Sequence, residues 1–460
     1  MTRADRPTAA NVACTKSPHA EPSAARTPSQ GKRRGWHPRF ALRKMKSVMR
    51  SREQGLRRVR SRTTAAGGCV RAGRSAARRI ARLVPILSLL AVAGCAEASP
   101  SKPTATGAAT AATVDCGRIA GNGRTFYESN PTYEDAVDDG ADWSPTAPEA
   151  QGMDSTKLRT GLTKLGDNSS LFSVLVIRHD RLVAERYYHG SGAQRSNNVH
   201  SASKSILQAL LHIAVAKGDI GSLDDPVADY LPGYFGNASA DKKKITIRHM
   251  LNMRSGLDWT EDSTERQVEK TSNWVQAILD RPLKSVPGTT YNYSSGNTHV
   301  VSAVLQKATR MSTCQFAHQY LFGPMGITAE HWGRDPQGIF SGGYNVYLTP
   351  REMAKFGLLY LQDGKWAGRQ LVPHDAVRAA QARTAQVDDT FAYSEGWWMN
   401  TVSERSTYFA WGYGGQFIYV IPSVDTVLVT SENTGNSSVN KEINPREFIR
   451  DHLLPAITGP

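Results

Sequence analysis

The sequence predicts an α+β domain within the broad α/β class. Its core is one antiparallel sheet drawn from both termini of the folding segment and flanked by helices. A mostly helical subdomain is inserted between the two halves. Three observations predict this. Two runs near position 175 read as a strand pair, three runs beyond 405 read as strands, and the stretch from about 218 to 385 has helical spacing broken by Pro and Gly.

The chain before this segment is of another kind. The first 94 residues carry 22 Lys or Arg and 3 Asp or Glu, and the rest carry 34 and 38. The formal charge of +15 therefore belongs to the N-terminal part, and the folding part is mildly acidic. A high pI of that origin is no argument for a nucleic-acid partner. Residues 1–69 are rich in Arg, Ser and Ala without a sustained apolar period, so they cannot bury enough surface to fold alone. The basic run Arg71 to Arg82 and the apolar run Leu83 to Gly94 read as the charged and hydrophobic regions of a signal peptide. The apolar run falls short of the ~20 residues that span a bilayer.

The run ends in Val92-Ala93-Gly94-Cys95, which resembles the lipobox of bacterial lipoproteins. That resemblance implies cleavage, a lipid on Cys95 and an exported protein anchored to the bacterial cell membrane. Signal peptides open their chains, so a start at Met45, Met49 or Val70 is expected in place of Met1. The Ala/Thr/Ser/Pro-rich residues 96–115 read as a flexible tether. The expected division is an unfolded extension with signal peptide over 1–94, the lipidated cysteine and tether over 95–142, and one folded domain over 143–460. Cys14, Cys69, Cys95, Cys116 and Cys314 form no CxxC and no zinc-like cluster, so no metal is expected. After export, Cys116 and Cys314 are the possible disulfide partners.

Within the domain, Phe172–Ile177 reads as a buried strand and Leu182–Tyr188 as its hairpin partner across Arg178–Arg181. Residues 202–217 place Ile206, Leu207, Leu210, Leu211 and Ile213 at helical spacing. A second helix is expected over Thr298–Thr309. Strands return at Thr407–Trp411, Gln416–Ile421 and Thr426–Thr430, and a helix near 445–455 closes the chain.

Three segments carry chemistry. The first is His200-Ser201-Ala202-Ser203-Lys204. Ser-x-x-Lys also occurs at Ser29, Ser99, Ser239 and Ser438, but only Ser201 follows two strands and opens an apolar helix. Residues i and i+3 share a helix face, so Lys204 can reach the Ser201 hydroxyl. A serine needs a base to become a nucleophile, and lysine serves only when neutral. Alone, the same motif also describes an N-cap serine with a solvated lysine. The second segment is Tyr291-Asn292-Tyr293-Ser294-Ser295, at a turn into a helix, where a phenol facing the Ser/Lys pair can shuttle a proton. The third is Ala410-Trp411-Gly412-Tyr413-Gly414-Gly415, where glycines let a substrate approach the backbone. No Gly-x-Ser-x-Gly elbow exists for an α/β-hydrolase triad. His200 and His249 read as scaffold. Trp332, Tyr344, Trp397 and Trp398 read either as walls of an apolar cleft or as core.

These segments resemble the three motifs of the serine β-lactamase and penicillin-recognising superfamily, in its class C-like form. Leu223–Pro232, Ile245–Leu257 and Thr349–Gly357 resemble further hallmarks, in the same order and spacing. The branch most similar is that of the 6-aminohexanoate-dimer hydrolases and family VIII esterases. The resemblance implies a β-lactamase/transpeptidase-like fold and a serine hydrolase that forms an acyl-enzyme and needs no cofactor. It implies Ser201 as nucleophile, with Lys204 and Tyr293 relaying protons. It places the oxyanion on the N–H groups of Ser201 and Tyr413, and substrate contacts at Ser295, Trp411, Gly412 and Gly414. Two departures stand out. Ser295 replaces an asparagine, and Trp411 stands where a lysine would hold a penicillin carboxylate. The expected substrate is a small ester or amide. A β-lactamase or D-Ala-D-Ala carboxypeptidase, and a non-catalytic penicillin-binding-like sensor, remain alternatives.

Overall fold

The computed structural model of the chain describes residues 145–329, 331–434 and 444–459, together with the backbone of the short strand Tyr133–Glu134. The expected signal peptide, Cys95, the tether and Cys116 lie outside the described residues. Cys314 is buried and disulfide-bonded, and the candidate partner Cys116 is among the residues not described.

Eight strands form the principal sheet. They are β1 (Leu171–Arg178), β2 (Arg181–Tyr187), β3 (Ala385–Gln386), β4 (Ala392–Ser394), β5 (Trp397–Val402), β6 (Arg405–Gly412), β7 (Gln416–Ile421) and β8 (Thr426–Glu432). Their spatial order is β2-β1-β8-β7-β6-β5-β4-β3, with every pair antiparallel. Strand β8, the last of this sheet in sequence, pairs with β1, its first, Leu428 opposite Val176, so the sheet is built from both ends of the segment as expected.

Side chains alternate across a strand, so a sheet buried on both faces serves two cores. Val174 and Val176 of β1 point with Phe409, Tyr419 and Leu428 toward α1 (Ser155–Leu165) and the closing helical segment Pro445–Ala456. Leu175 and Ile177 point with Ile418, Val427 and Val429 into the larger core beneath α2 (Ser203–Ala216), α3 (Ser295–Thr309) and α4 (Pro350–Leu361). Terminal helices, sheet and central helices thus make three layers. Asp154 caps α1, Ser294 caps α3, and Thr349 with Glu352 closes a capping box on α4.

Two expectations need refinement. The middle region is helical in short pieces: Val227–Tyr230, Ile247–Leu251, Ser263–Val268 and Trp274–Leu279 are one or two turns each, joined by loops. Three strands, β3 to β5, were not expected. Their apolar alternation is masked because Asn400 of β5 is fully buried, its amide donating to the Tyr419 hydroxyl at 3.2 Å.

The β4–β5 hairpin also fixes α2. Its turn residue Glu395 is 2% exposed and accepts from His212 of α2 at 2.7 Å and from Arg248. Gly396 follows at φ +93°, and a Cβ there would lie 2.6 Å from the Lys204 carbonyl oxygen. Removing one partner of a buried charge network leaves the others uncompensated. Glu395→Ala is expected to cost about 3 kcal/mol of folding stability, read as a shift of the urea midpoint. A change under about 0.5 kcal/mol would show that this network does not brace the helix.

Candidate active site

Ser201 sits in the 3-10 turn His200–Ala202, which runs directly into α2. The turn is held from behind. Asn198 accepts from the His200 backbone N–H at 2.8 Å and from that of Asn345 at 3.1 Å, and Val199 N–H donates to Val346 O at 2.8 Å. His200 takes φ +48°, a left-handed conformation costly for a side chain of its size. Its imidazole is buried and packs edge-on against the Tyr413 ring at 5.7 Å. Burial, with the Lys204 charge nearby, pushes it down to about 3. A ring kept neutral and turned toward Tyr413 is scaffold.

One turn on, Lys204 is 1% exposed. Its Nζ has three neighbours: Ser201 Oγ at 3.0 Å, Ser295 Oγ at 3.0 Å and the Gly343 carbonyl at 2.9 Å. Burial pushes the amine down to about 8, against the opposing pull of the Glu261 and Glu265 carboxylates. Tyr293 arrives from the extended loop ahead of α3. Its loop is held by Asn292, whose N–H donates to Met253 O at 2.7 Å and whose amide donates to Trp259 O at 2.9 Å. The Tyr293 phenol interacts with the Ser201 side chain, and its ring centroid lies 5.0 Å from Lys204 Nζ. Burial, then the Glu261 charge, holds this phenol well above its ordinary range, so it stays protonated. The Ser201 alcohol and Lys204 amine, one helical turn apart, meet the phenol of a distant segment.

Ser295 is placed differently from the expected substrate contact. It is 2% exposed and lies behind the lysine, accepting from Lys204 and donating its hydroxyl proton to Glu261. Trp411 and Gly412 end β6, paired with Phe417 and Gln416 of β7, and Tyr413 and Gly414 lie in the turn between them. Trp411 is partly exposed and packs on Trp398 at 5.2 Å. Trp398 in turn lies 5.9 Å from the Tyr293 ring and 5.1 Å from Tyr393. An aromatic face therefore runs from the phenol to the end of β6. The four large aromatics named from sequence divide by strand alternation and depth. Trp398 joins this face, whereas Trp397, Trp332 and Tyr344 are core.

Sequence reasoning missed Glu261, Glu265 and the Gly343 carbonyl. Glu261 and Glu265 stand four residues apart in a short acidic run, a spacing typical of a solvated helix face. Here Glu265 is 3% exposed. Burial and then Glu261 and Glu269 push its carboxyl up well above the usual range. Among the described residues no cluster of His, Cys, Asp and Glu could hold a metal ion.

A terminally closed antiparallel sheet, with a Ser-x-x-Lys turn against it and a tyrosine facing the lysine, defines a protein of the serine β-lactamase and penicillin-recognising class. The chain belongs to the Beta-lactamase family, whose profile matches residues 169–449. Among curated proteins it is similar to the 6-aminohexanoate-dimer hydrolase of Paenarthrobacter ureafaciens, 25% identical over 286 residues, which are 55% of this chain and 70% of that one. Solved structures share the fold. One is a Bacillus anthracis protein provisionally assigned as a 6-aminohexanoate-dimer hydrolase, with a TM-score of 0.57 and 18% identity, covering 72% of this chain and 92% of that one. Another is a D-stereospecific amidohydrolase from Streptomyces sp., with a TM-score of 0.52 and 16% identity, covering 66% and 99%. The chain is thus a hydrolase of the β-lactamase family.

Proposed function

We propose that the chain cleaves an ester or linear amide with an apolar, uncharged acyl group, through an acyl-enzyme at Ser201. The observation that carries this is the buried Lys204 amine 3.0 Å from a reachable Ser201 hydroxyl. Of the two candidate bases, the amine is brought close to neutrality and the phenol is driven away from ionisation. Lys204 is therefore the base and Tyr293 the donor.

The Ser201 oxygen bonds to the substrate carbonyl carbon as its proton passes to Lys204. The carbonyl oxygen becomes an oxyanion, held by the N–H groups of Ser201 and Tyr413. As the carbon–leaving-group bond breaks, the Tyr293 phenol gives its proton to the departing oxygen or nitrogen and is reprotonated from the Lys204 ammonium. Water then attacks the acyl-enzyme, loses a proton to the same relay, and the acid leaves with Ser201 restored. The aromatic face of Tyr293, Trp398 and Trp411 supports the choice of acyl group. Trp411 stands where a lysine would hold a carboxylate, and the named relative, a 6-aminohexanoate-dimer hydrolase, supports the amide side of the reading.

A fluorophosphonate probe tests the reading. Labelling of the Ser201 peptide is expected, with hydrolysis of p-nitrophenyl butyrate or a short linear amide and no hydrolysis of nitrocefin. A folded protein that neither takes the label at Ser201 nor turns over any ester or linear amide in the panel sinks the reading. Turnover of nitrocefin at a comparable rate moves the assignment to a β-lactamase.

A further inference from the structure

The acidic run beside the nucleophile has no part in the relay above, yet it is wired into it. Glu261 accepts three hydrogen bonds. Trp259 Nε1–H donates to Oε2 at 2.6 Å, the Ser295 backbone N–H donates to Oε2 at 3.0 Å, and the Ser295 hydroxyl donates to Oε1. A carboxylate with three donors around it only accepts. The Ser295 proton is therefore committed to Glu261, and the Ser295 oxygen has only a lone pair to offer Lys204. The Gly343 carbonyl likewise only accepts. Two N–H bonds of the amine are thus assigned, to Ser295 and to Gly343. The remaining position of the tetrahedral nitrogen points at Ser201. In the neutral amine that position is the lone pair, aimed at the hydroxyl it must deprotonate.

We propose that Glu261 is a positioning residue for Lys204: acting through Ser295, it fixes the orientation of the amine and, through its charge, sets the pH at which the amine becomes a base. This rests on Lys204 being the base. Of the other groups facing the amine, Glu265 pulls in the same direction and ranks behind Glu261. Glu265 is a buried carboxyl held toward its neutral form by burial, Glu261 and Glu269. Asp262 acts on Glu265 in the same direction. Tyr293 stays protonated, and His200 stays neutral from about 3 upward. A negative charge one residue removed from the ammonium favours the protonated form, so its loss lowers the lysine midpoint.

The test uses the NMR titration of Lys204 Cε in protein carrying 13C-lysine, assigned with Lys204→Met. It needs no turnover, so it separates this proposal from the hydrolase reading. Glu261→Gln is expected to lower the midpoint by about one to two pH units, and to move the acid limb of kcat/KM down by the same amount. Glu261→Asp, which keeps the charge, should restore most of the wild-type midpoint. Ser295→Ala breaks the bridge and keeps the charge. It is expected to lower kcat by about ten- to a hundredfold with a midpoint shift well under that of Glu261→Gln. A midpoint unchanged in Glu261→Gln overturns the electrostatic half, and wild-type kcat in Ser295→Ala overturns the orienting half. Should Glu261→Gln fail to fold, Glu261→Asp and Ser295→Ala carry the test, and wild-type kcat in both overturns the proposal.

Discussion

Lys204→Met is expected to lower kcat/KM on an activated ester by about a thousand- to ten-thousandfold while leaving the protein folded. Two effects oppose each other at this position. Methionine occupies a similar volume in a site that is 1% exposed, and it relieves the cost of holding an amine out of water. Against that, Ser295 Oγ and the Gly343 carbonyl lose a donor at 3.0 and 2.9 Å, worth about 1–3 kcal/mol for each buried acceptor left unpaired. These terms are of similar size and opposite sign, so stability changes little. Activity has no such compensation, because nothing else within reach of the Ser201 hydroxyl takes a proton near neutral pH.

Lys204→Arg should lose as much activity as methionine, since a guanidinium does not become neutral. The wild-type profile follows from the same assignment. Kinetic competence requires the neutral amine, so kcat/KM should rise with pH through about 8 and level off above it. Steady-state kinetics of both variants, with urea midpoints as the control for folding, check the assignment. Activity within tenfold of wild type in Lys204→Met would remove lysine from the base's role and hand it to Tyr293.

Much of this arrangement was readable from the amino-acid string, and the reason is local. Ser201 and Lys204 share a helix face by spacing alone, and β7 was legible from Gln416 to Ile421 because all six residues are apolar or buried. Tyr293 could be nominated because its segment, at a turn ahead of an apolar helix, resembles the family's tyrosine motif. What could not be read depends on contacts between distant segments. Ser295 reads as a substrate contact because, by the resemblance, it stands where an asparagine meets the substrate. Its own hydroxyl turns inward, drawn by a glutamate 34 residues earlier. Glu265 does not stand out in sequence, since a short acidic run ordinarily reads as a solvated face; the fold buries it to 3% exposure. Strand β5 hid for a related reason. A buried Asn400 breaks the apolar pattern, and its amide is satisfied across strands, accepting from the Thr407 hydroxyl on β6 and donating to Tyr419 on β7.

Gly412→Ala is expected to cost about a hundredfold in kcat/KM or more. A Cβ at this position would lie 2.0 Å from the Val199 carbonyl oxygen and 2.9 Å from its carbon. Both atoms are backbone, so no side chain can swing aside. Val199 cannot retreat either, because its N–H is tied to Val346 at 2.8 Å and the next residue is tied to Asn198. The strain must therefore be taken up by β6, which shifts away from the nucleophile turn. Tyr413, one residue on, moves with it, and so does the N–H assigned to the oxyanion. A donor displaced by about 1 Å loses most of its hydrogen bond to a charge that exists only in the transition state, so the loss should fall on kcat with KM little changed. Gly236→Ala is the matched control, since nothing lies within 4 Å of its added carbon. If Gly412→Ala keeps full kcat with an unaltered melting temperature, the end of β6 is not the wall of an oxyanion site, and the acyl-transfer geometry must be sought on another edge of the cleft.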